Sequence, residues 1–379
     1  MAKSKETASL EEGKKKQVSQ SYWSLVAYKF KKNKLGIAGA VILIIMYATM
    51  VLFPEFIGPY LLESRSIYSE AKPQKIHFID STGKFHLRPF VYGMDKKIDE
   101  KLRIRTWVEN PDRAYPIYFL VHHEPYKLLG LIPTDLHLFG VDYSDPQATV
   151  YLAGTDANGR DYFSRIFYGG RLSLMIGLIG QLMTIILGAG LGVISGYYGG
   201  AVDILVQRST EFLAAFPNIP LFMALSAAIP SFWSPIAVYF MLTVILAVLG
   251  WGGLARQVRG MILSLREREY ALAAKAFGAN DSRIMFRHLL PGTVSHVIVI
   301  ASLAIPSMIL AETALSWLGL GLRPPLTSWG VLLQEGGRVS AIRYTPWLLW
   351  VVFPVLIAVM AYNMLGDGLR DAMDPYGAR

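Results

Sequence analysis

The chain of 379 residues contains no cysteine, and charged residues make up only 17% of it. The first absence excludes disulfides, thiolate metal sites and a cysteine nucleophile, and leaves the redox compartment open. The second separates the chain from soluble globular domains, in which about 25% of residues are charged. A Gly-rich phosphate loop of the GxxxxGK[ST] kind is also missing, so ATP is not expected to bind here. Nothing resembles a hydrolytic triad. What is plentiful is apolar: 53% of the residues are hydrophobic, and the mean hydropathy is +0.36. In such a chain the net charge of +9 reads as a topology signal of membrane proteins, and no nucleic-acid partner is expected.

The charge is placed unevenly. Residues 1–34 carry nine lysines against three glutamates, which predicts a cytoplasmic tail. The run 35–56 has no charge before Glu55 and matches the ~20 residues of a membrane-crossing helix. It reads as an uncleaved anchor, since 34 residues precede it and Phe53-Pro54-Glu55 comes after it instead of a small-residue cleavage site. From 57 to 168 the composition turns mixed, with five of the seven histidines and β-type stretches at Lys75-Ile-His-Phe-Ile79 and Tyr115-Pro-Ile-Tyr-Phe-Leu-Val121. The remainder, 169–379, is hydrophobic again, with spans expected at 172–195, 208–229, 236–255, 292–314 and 346–365. Span two is rich in glycine, at Gly177, Gly180, Gly188, Gly190, Gly192 and Gly196, which lets a neighbouring helix backbone come close. The loop 256–290 is strongly basic and is placed in the cytoplasm. The expected fold is therefore an all-α polytopic membrane protein: six transmembrane helices, a β-containing extracytoplasmic insert between the first two, and both termini in the cytoplasm.

Inside that loop, Leu265-Arg-Glu-Arg-Glu-Tyr-Ala-Leu-Ala-Ala-Lys-Ala-Phe-Gly278 and Ala-Asn-Asp-Ser-Arg-Ile-Met-Phe-Arg-His-Leu-Leu-Pro291 read as helix, turn, helix. Residues 266–277 are good helix formers, and Tyr270, Ala273, Ala274 and Phe277 share a face by spacing. Gly278 suits a left-handed helix end. Asn280 or Asp281 can cap the second helix, and Pro291 suits a first turn. Two alanines between two aromatics suit insertion into a groove on another protein, although periodicity alone equally fits a loop lying on the membrane surface.

The stretch resembles the EAA loop of ABC importer permeases, which docks into a cleft of each ATPase subunit. Ala273, Ala274, Gly278, Leu290 and Pro291 match that pattern. Leu272 occupies its glutamate position and departs from it, while Glu269 lies one turn upstream on a similar face. Gly154-Thr-Asp-Ala-Asn-Gly-Arg-Asp161 resembles the segment before the second span in permeases of the dipeptide and oligopeptide type. Physically it is a tight turn built from Asp156, Asn158 and Gly159, with Arg160 and Asp161 available to neighbours at the outer surface. It is not a calcium loop, because the twelfth position from Asp156 is Phe167. Gly196-Tyr-Tyr-Gly-Gly200 with Asp203, Glu312 to Gly321, and Asn363 to Pro375 resemble the same family.

The resemblance implies one half of a heterodimeric translocation path for peptides. Its implied partners are a second related permease, two cytoplasmic ATPases that hold ATP and Mg, an extracytoplasmic binding protein that delivers substrate, and membrane lipid. The chain itself would be non-catalytic and bind no cofactor. Glu312 is the only ionisable residue between His296 and Arg323; it either faces the path or pairs within the protein. His122-His123-Glu124 does not read as a metal site, since neighbours on a strand point to opposite faces. Two competitors are an ion-driven secondary transporter and a membrane-anchored receptor or enzyme acting through the insert. Substrate identity is not encoded in these motifs.

Orientation can be checked directly because the chain has no cysteine background. A membrane-impermeant thiol reagent applied to intact cells is expected to label Ser81→Cys in the insert and not Ser282→Cys in the loop; the reverse pattern overturns the orientation.

Overall fold

The computed structural model describes residues 22–98 and 105–374. The lysine-rich tail before Tyr22 and the C-terminal residues from Pro375 lie outside the described residues. A short amphipathic helix, α1 (Tyr22–Lys32), leads into α2 (Lys34–Met46), which continues as a π-helical turn over Tyr47–Leu52. Asn33 starts α2 by accepting from the Gly36 amide at 2.9 Å. Phe53 follows its end, and Pro54, which has no amide hydrogen, begins a new turn over Pro54–Ile57. The other long helices are α3 (Tyr162–Tyr198), α6 (Pro235–Leu265), α8 (Val294–Trp317) and α11 (Val352–Met373), the last entered through a 3-10 turn at Pro346–Val351. All are apolar enough to cross a bilayer, and the chain is a multi-pass membrane protein.

The third expected span is not one straight helix. It is a pair, α4 (Gly200–Ala214) and α5 (Asn218–Ala227), bent by 88°. Pro217 lies at the break, where it removes an amide donor and disfavours helix at Phe216. The pair nonetheless makes one crossing. Gly188 lies against Leu254, Gly192 against Val258 and Gly196 against Ile262, so α3 and α6 run parallel and the chain between them must return across the bundle. That makes six crossings. The second begins ten residues earlier than expected, because the charges that suggested a boundary are paired. Arg171 donates to both Glu55 carboxylate oxygens at 2.6 and 2.7 Å, and Arg165 is buried between Asp156 and Glu335.

The two ends of the bundle differ. At one end sits the insert, whose strands are β1 (His77–Ile79), β2 (Phe85–Ile98), β3 (Arg105–Pro116), β4 (Tyr118–Leu128) and β5 (Ile132–Gly140). An antiparallel sheet β1-β2-β3 and a hairpin β4-β5 close over a core containing Tyr60, Tyr68, Val91, Phe139, Val150 and Tyr151. The expected strand at 115–121 is in fact two strand ends interrupted at Ile117. His137 on β5 ties the insert to the bundle, its ring nitrogens lying 2.7 Å from the Gly58 carbonyl and 3.1 Å from that of Glu124. At the other end lie the 266–290 segment, α1 and the end of α11; Tyr22 Oη of α1 donates to Ser295 Oγ of α8 at 2.9 Å, and Asn33 Nδ2 to Asp371 of α11 at 3.0 Å.

The glycines of α3 admit α6 at backbone distance. A Cβ on Gly188, Gly192 or Gly196 would stand 2.9, 2.6 or 2.9 Å from the carbonyl oxygens of Trp251, Ala255 and Arg259, whereas one on Gly190 would meet nothing within 4 Å. Gly192→Leu is therefore expected to destabilise the chain by about 1–3 kcal/mol or more, as overpacked sites do. Gly190→Leu should leave thermal unfolding in detergent unchanged, and equal behaviour of the two variants would refute the close packing.

Candidate functional site

The 266–290 unit is built outward from the ends of α3 and α6. Arg266, the residue after α6, donates through Nη1 to the carbonyls of Gly196 and Tyr197 at 3.0 and 3.2 Å, placing a cation at the negative end of α3. Arg259 on α6 holds Asp203 on α4 through two bonds of 2.6 and 2.5 Å, and Ser195 Oγ donates to the same carboxylate. From this platform rises α7 (Glu269–Ala276). It ends in a Schellman turn: the Ala279 amide bonds the Ala274 carbonyl and the Gly278 amide that of Lys275, both at 3.0 Å. Gly278 has φ +79°, the left-handed geometry anticipated from sequence. Asn280, and not Asp281, caps the next turn, accepting from the Arg283 amide at 2.9 Å. Asp281 instead accepts from Tyr197 Oη at 2.6 Å, a second tie to α3. Leu290 packs partly buried against the core beneath, and Pro291 is exposed in a 3-10 turn.

The face expected to carry both alanines outward is rotated. Ala274 is turned inward with Ala271 onto Ile262, Ile284 and Leu289, because α7 lies flat on the bundle and its i, i+3 pair fills the contact. Ala273, Tyr270 and Leu272 are exposed, Glu269 with them, and Phe277 is 91% exposed. The unit thus presents two aromatics, a leucine and an alanine outward on a helix fixed from below. Leu272, in the place expected for glutamate, adds to the apolar surface.

At the opposite end, Asp156, Gly159, Arg160 and Asp161 form one built structure. Asp156 Oδ1 accepts from the amides of Asn158 and Arg160 at 2.8 and 3.0 Å, and its Oδ2 accepts from Arg160 Nε at 2.7 Å. Gly159, with φ +72°, lies under Ser66, whose amide donates to its carbonyl at 3.0 Å. Asp161 caps α3 by accepting from the Ser164 amide and hydroxyl at 2.7 and 2.6 Å; burial pushes its carboxyl up to about 7, against the lowering effect of those Ser164 bonds. The centre of the cluster was not found from sequence. Arg165, 2% exposed, bridges Asp156 at 2.5 Å and Glu335 at 2.5 and 2.8 Å. Its partners lie 9 and 170 residues away, and only the matching i, i+9 spacing could have hinted at the nearer one.

Glu312 is 1% exposed. Ser173 and Ser316 donate to its two oxygens at 3.0 and 2.7 Å, and Ser173 in turn accepts from the Trp329 amide at 3.1 Å. The carboxylate therefore knits α3 to α8 and to the helix α9 (Trp329–Gly336). In the insert, His122 pairs with Asp135 at 2.8 Å while His123 stacks on Tyr143. Glu124 turns away to accept from the Leu61 amide at 2.9 Å.

The family model described as the binding-protein-dependent transport system inner membrane component matches residues 188–376. The model for the N-terminal TM domain of oligopeptide transport permease C matches residues 21–73. The chain is 40% identical over 224 residues to the dipeptide transport system permease protein of Alkalihalophilus pseudofirmus, covering 59% of this chain and 71% of that one. It is 38% identical over 251 residues to the glutathione transport system permease protein of Pectobacterium atrosepticum, covering 65% and 80%. With the oligopeptide transport system permease protein of Haemophilus influenzae it shares 40% identity over 225 residues, covering 59% and 69%. All five strands fall between the two matched segments.

Removing Arg165 would leave Asp156 and Glu335 with only Arg160, at 2.7 and 3.7 Å, as a shared cation. Arg165→Gln is expected to cost about 3–5 kcal/mol, the usual result of breaking a buried ion pair from one side. Adding Asp156→Asn should recover part of that loss, measured as the unfolding temperature of the purified protein; a stable single variant would remove the cluster's structural role.

Proposed function

The chain belongs to the binding-protein-dependent transport system inner membrane component family, and from that premise we propose that it forms one half of a translocation path for peptides across the cell membrane. A second, related permease supplies the other half. An extracytoplasmic binding protein delivers the cargo on the side of the insert. Two ATPases, which hold the ATP and Mg, dock at the opposite, cytoplasmic end, where the described N-terminal helix and the end of α11 also lie. Peptide as the cargo class comes from the relatives, which are named for dipeptide, oligopeptide and glutathione transport.

The observation that carries the coupling role is the exposed apolar surface of α7 on a rigid base. An amphipathic loop lying on lipid needs no anchoring from beneath, whereas a lever does. Through Arg266 and the Tyr197–Asp281 bond, a push on α7 reaches α3. That helix has 37 residues, about 55 Å at 1.5 Å each, longer than the ~30 Å apolar core of a bilayer. Its far end is tied to the insert by Arg165 donating to Asp156 and by Ser164 Oγ accepting from the Tyr60 amide. Closure of the ATPases would tilt this strut and exchange inward-open for outward-open arrangements. No catalytic step is assigned to the chain.

The test uses the outward residues. Phe277→Asp and Ala273→Arg should insert and melt as the native protein does, yet lose ATPase co-purification or cargo-stimulated hydrolysis by about tenfold, the effect of removing an interface anchor. Gly278→Val should weaken the turn itself. If both outward variants couple normally, the docking assignment is wrong.

A further inference from the structure

On one side of the bundle, α3, α5, α6 and α8 line an open cavity of about 370 Å³, within the range of roughly 300–1,000 Å³ for small-molecule pockets. Its polar lining consists of Gln181, Thr184, Asn218, Gln257 and Ser307, and none of its lining residues is Asp, Glu, Lys, Arg or His. Gln181 stands midway along α3. It is 2% exposed, and its side-chain oxygen is buried without a hydrogen-bond partner. An unpaired amide at that depth is costly, and polar groups within spans ordinarily face a cavity or a partner. Asn218, Gln257 and Ser307 are exposed along the same wall. Gln257 is oriented by His296, whose Nε2 lies 3.2 Å from its oxygen.

A side-chain amide carries one acceptor and two donors, the complement of a peptide group. It pairs with the backbone of any peptide and is indifferent to the side chain. A fixed charge in this low-dielectric setting would instead retain oppositely charged cargo and repel the rest. We propose that this cavity holds cargo in transit by its backbone amides through Gln181, Asn218 and Gln257, so that this half of the path does not select by charge. The assignment rests on the peptide-import reading of the chain.

The experiment is import by the complete transporter in proteoliposomes, with its binding protein saturated by Ala-Ala-Ala, Ala-Glu-Ala or Ala-Lys-Ala. The native complex should import the three at rates within about threefold of one another. Gln257→Glu, at an exposed position, should slow the glutamate peptide relative to the lysine peptide by about fivefold or more. Gln181→Leu should assemble and melt normally while import of all three falls together. The proposal is overturned if the native complex already separates the charged peptides more than about tenfold, if Gln257→Glu leaves their ratio unaltered, or if Gln181→Leu imports at native rates. Absence of import of any peptide by the native complex is a different result: it removes the peptide reading, and this assignment with it.

Discussion

The mounting of α7 depends on how closely two parallel helices approach. Gly188, Gly192 and Gly196, one turn apart on α3, remove the side chains that would hold α6 away, and the carbonyls of Trp251, Ala255 and Arg259 take that space. In a membrane the helices gain little from hydrophobic association, so close packing and interhelical hydrogen bonds must supply the attraction. The approach also fixes geometry. It brings Arg266 over the end of α3 and sets Arg259 opposite Asp203. A segment mounted there is bonded to α3 at two points.

The insert is a separate solution to a separate problem. Its strands lie outside both matched family segments, and its apolar core meets that of the bundle at Phe163 of α3. One joint with the bundle is the start of α3, where Arg165 holds Asp156 and Glu335. Such a cluster of acids and arginines is not an efficient source of stability, since a well-packed apolar substitute often serves as well. It is, however, strongly directional. Bidentate bonds from a planar guanidinium fix the angle at which one element meets another, which suits a joint between a β unit and a helix end.

Hydropathy made the spans legible, because long apolar runs have few explanations in a chain with so little charge. The errors came where charge was read locally. Arg171 looked like the edge of the membrane, but it is neutralised by Glu55, a residue distant in sequence. Arg259 and Arg266, counted toward the basic loop, also make interhelical contacts in the fold, which is no contradiction of that loop's charge. The Gly278 turn was readable because a left-handed residue has few candidates. The inward rotation of Ala274 was not, since helical periodicity fixes which residues share a face and is silent on which face meets the core. The 88° bend at Pro217 was not read from the sequence, where 208–229 counted as one span.

The placement of Glu312 bears on the character of the path. It is an acid within a long run of neutral residues, and such a group invites a role in transport. Here two serine hydroxyls occupy its oxygens, and a third element, α9, is attached through the amide of Trp329. The cavity lies beside it on α8, lined by Ala304, Ser307, Met308 and Ala311, and Glu312 is absent from that lining. Helical geometry explains the separation: Ser307 and Ala311 share one face at i, i+4, and the residue after Ala311 is rotated by about 100°. The fold thus uses its one buried acid of α8 as a structural joint and leaves amides and hydroxyls along the cavity. A wall of that kind can bind and release hydrogen-bonding cargo repeatedly, because no step requires separating an ion pair in a medium where that separation is expensive.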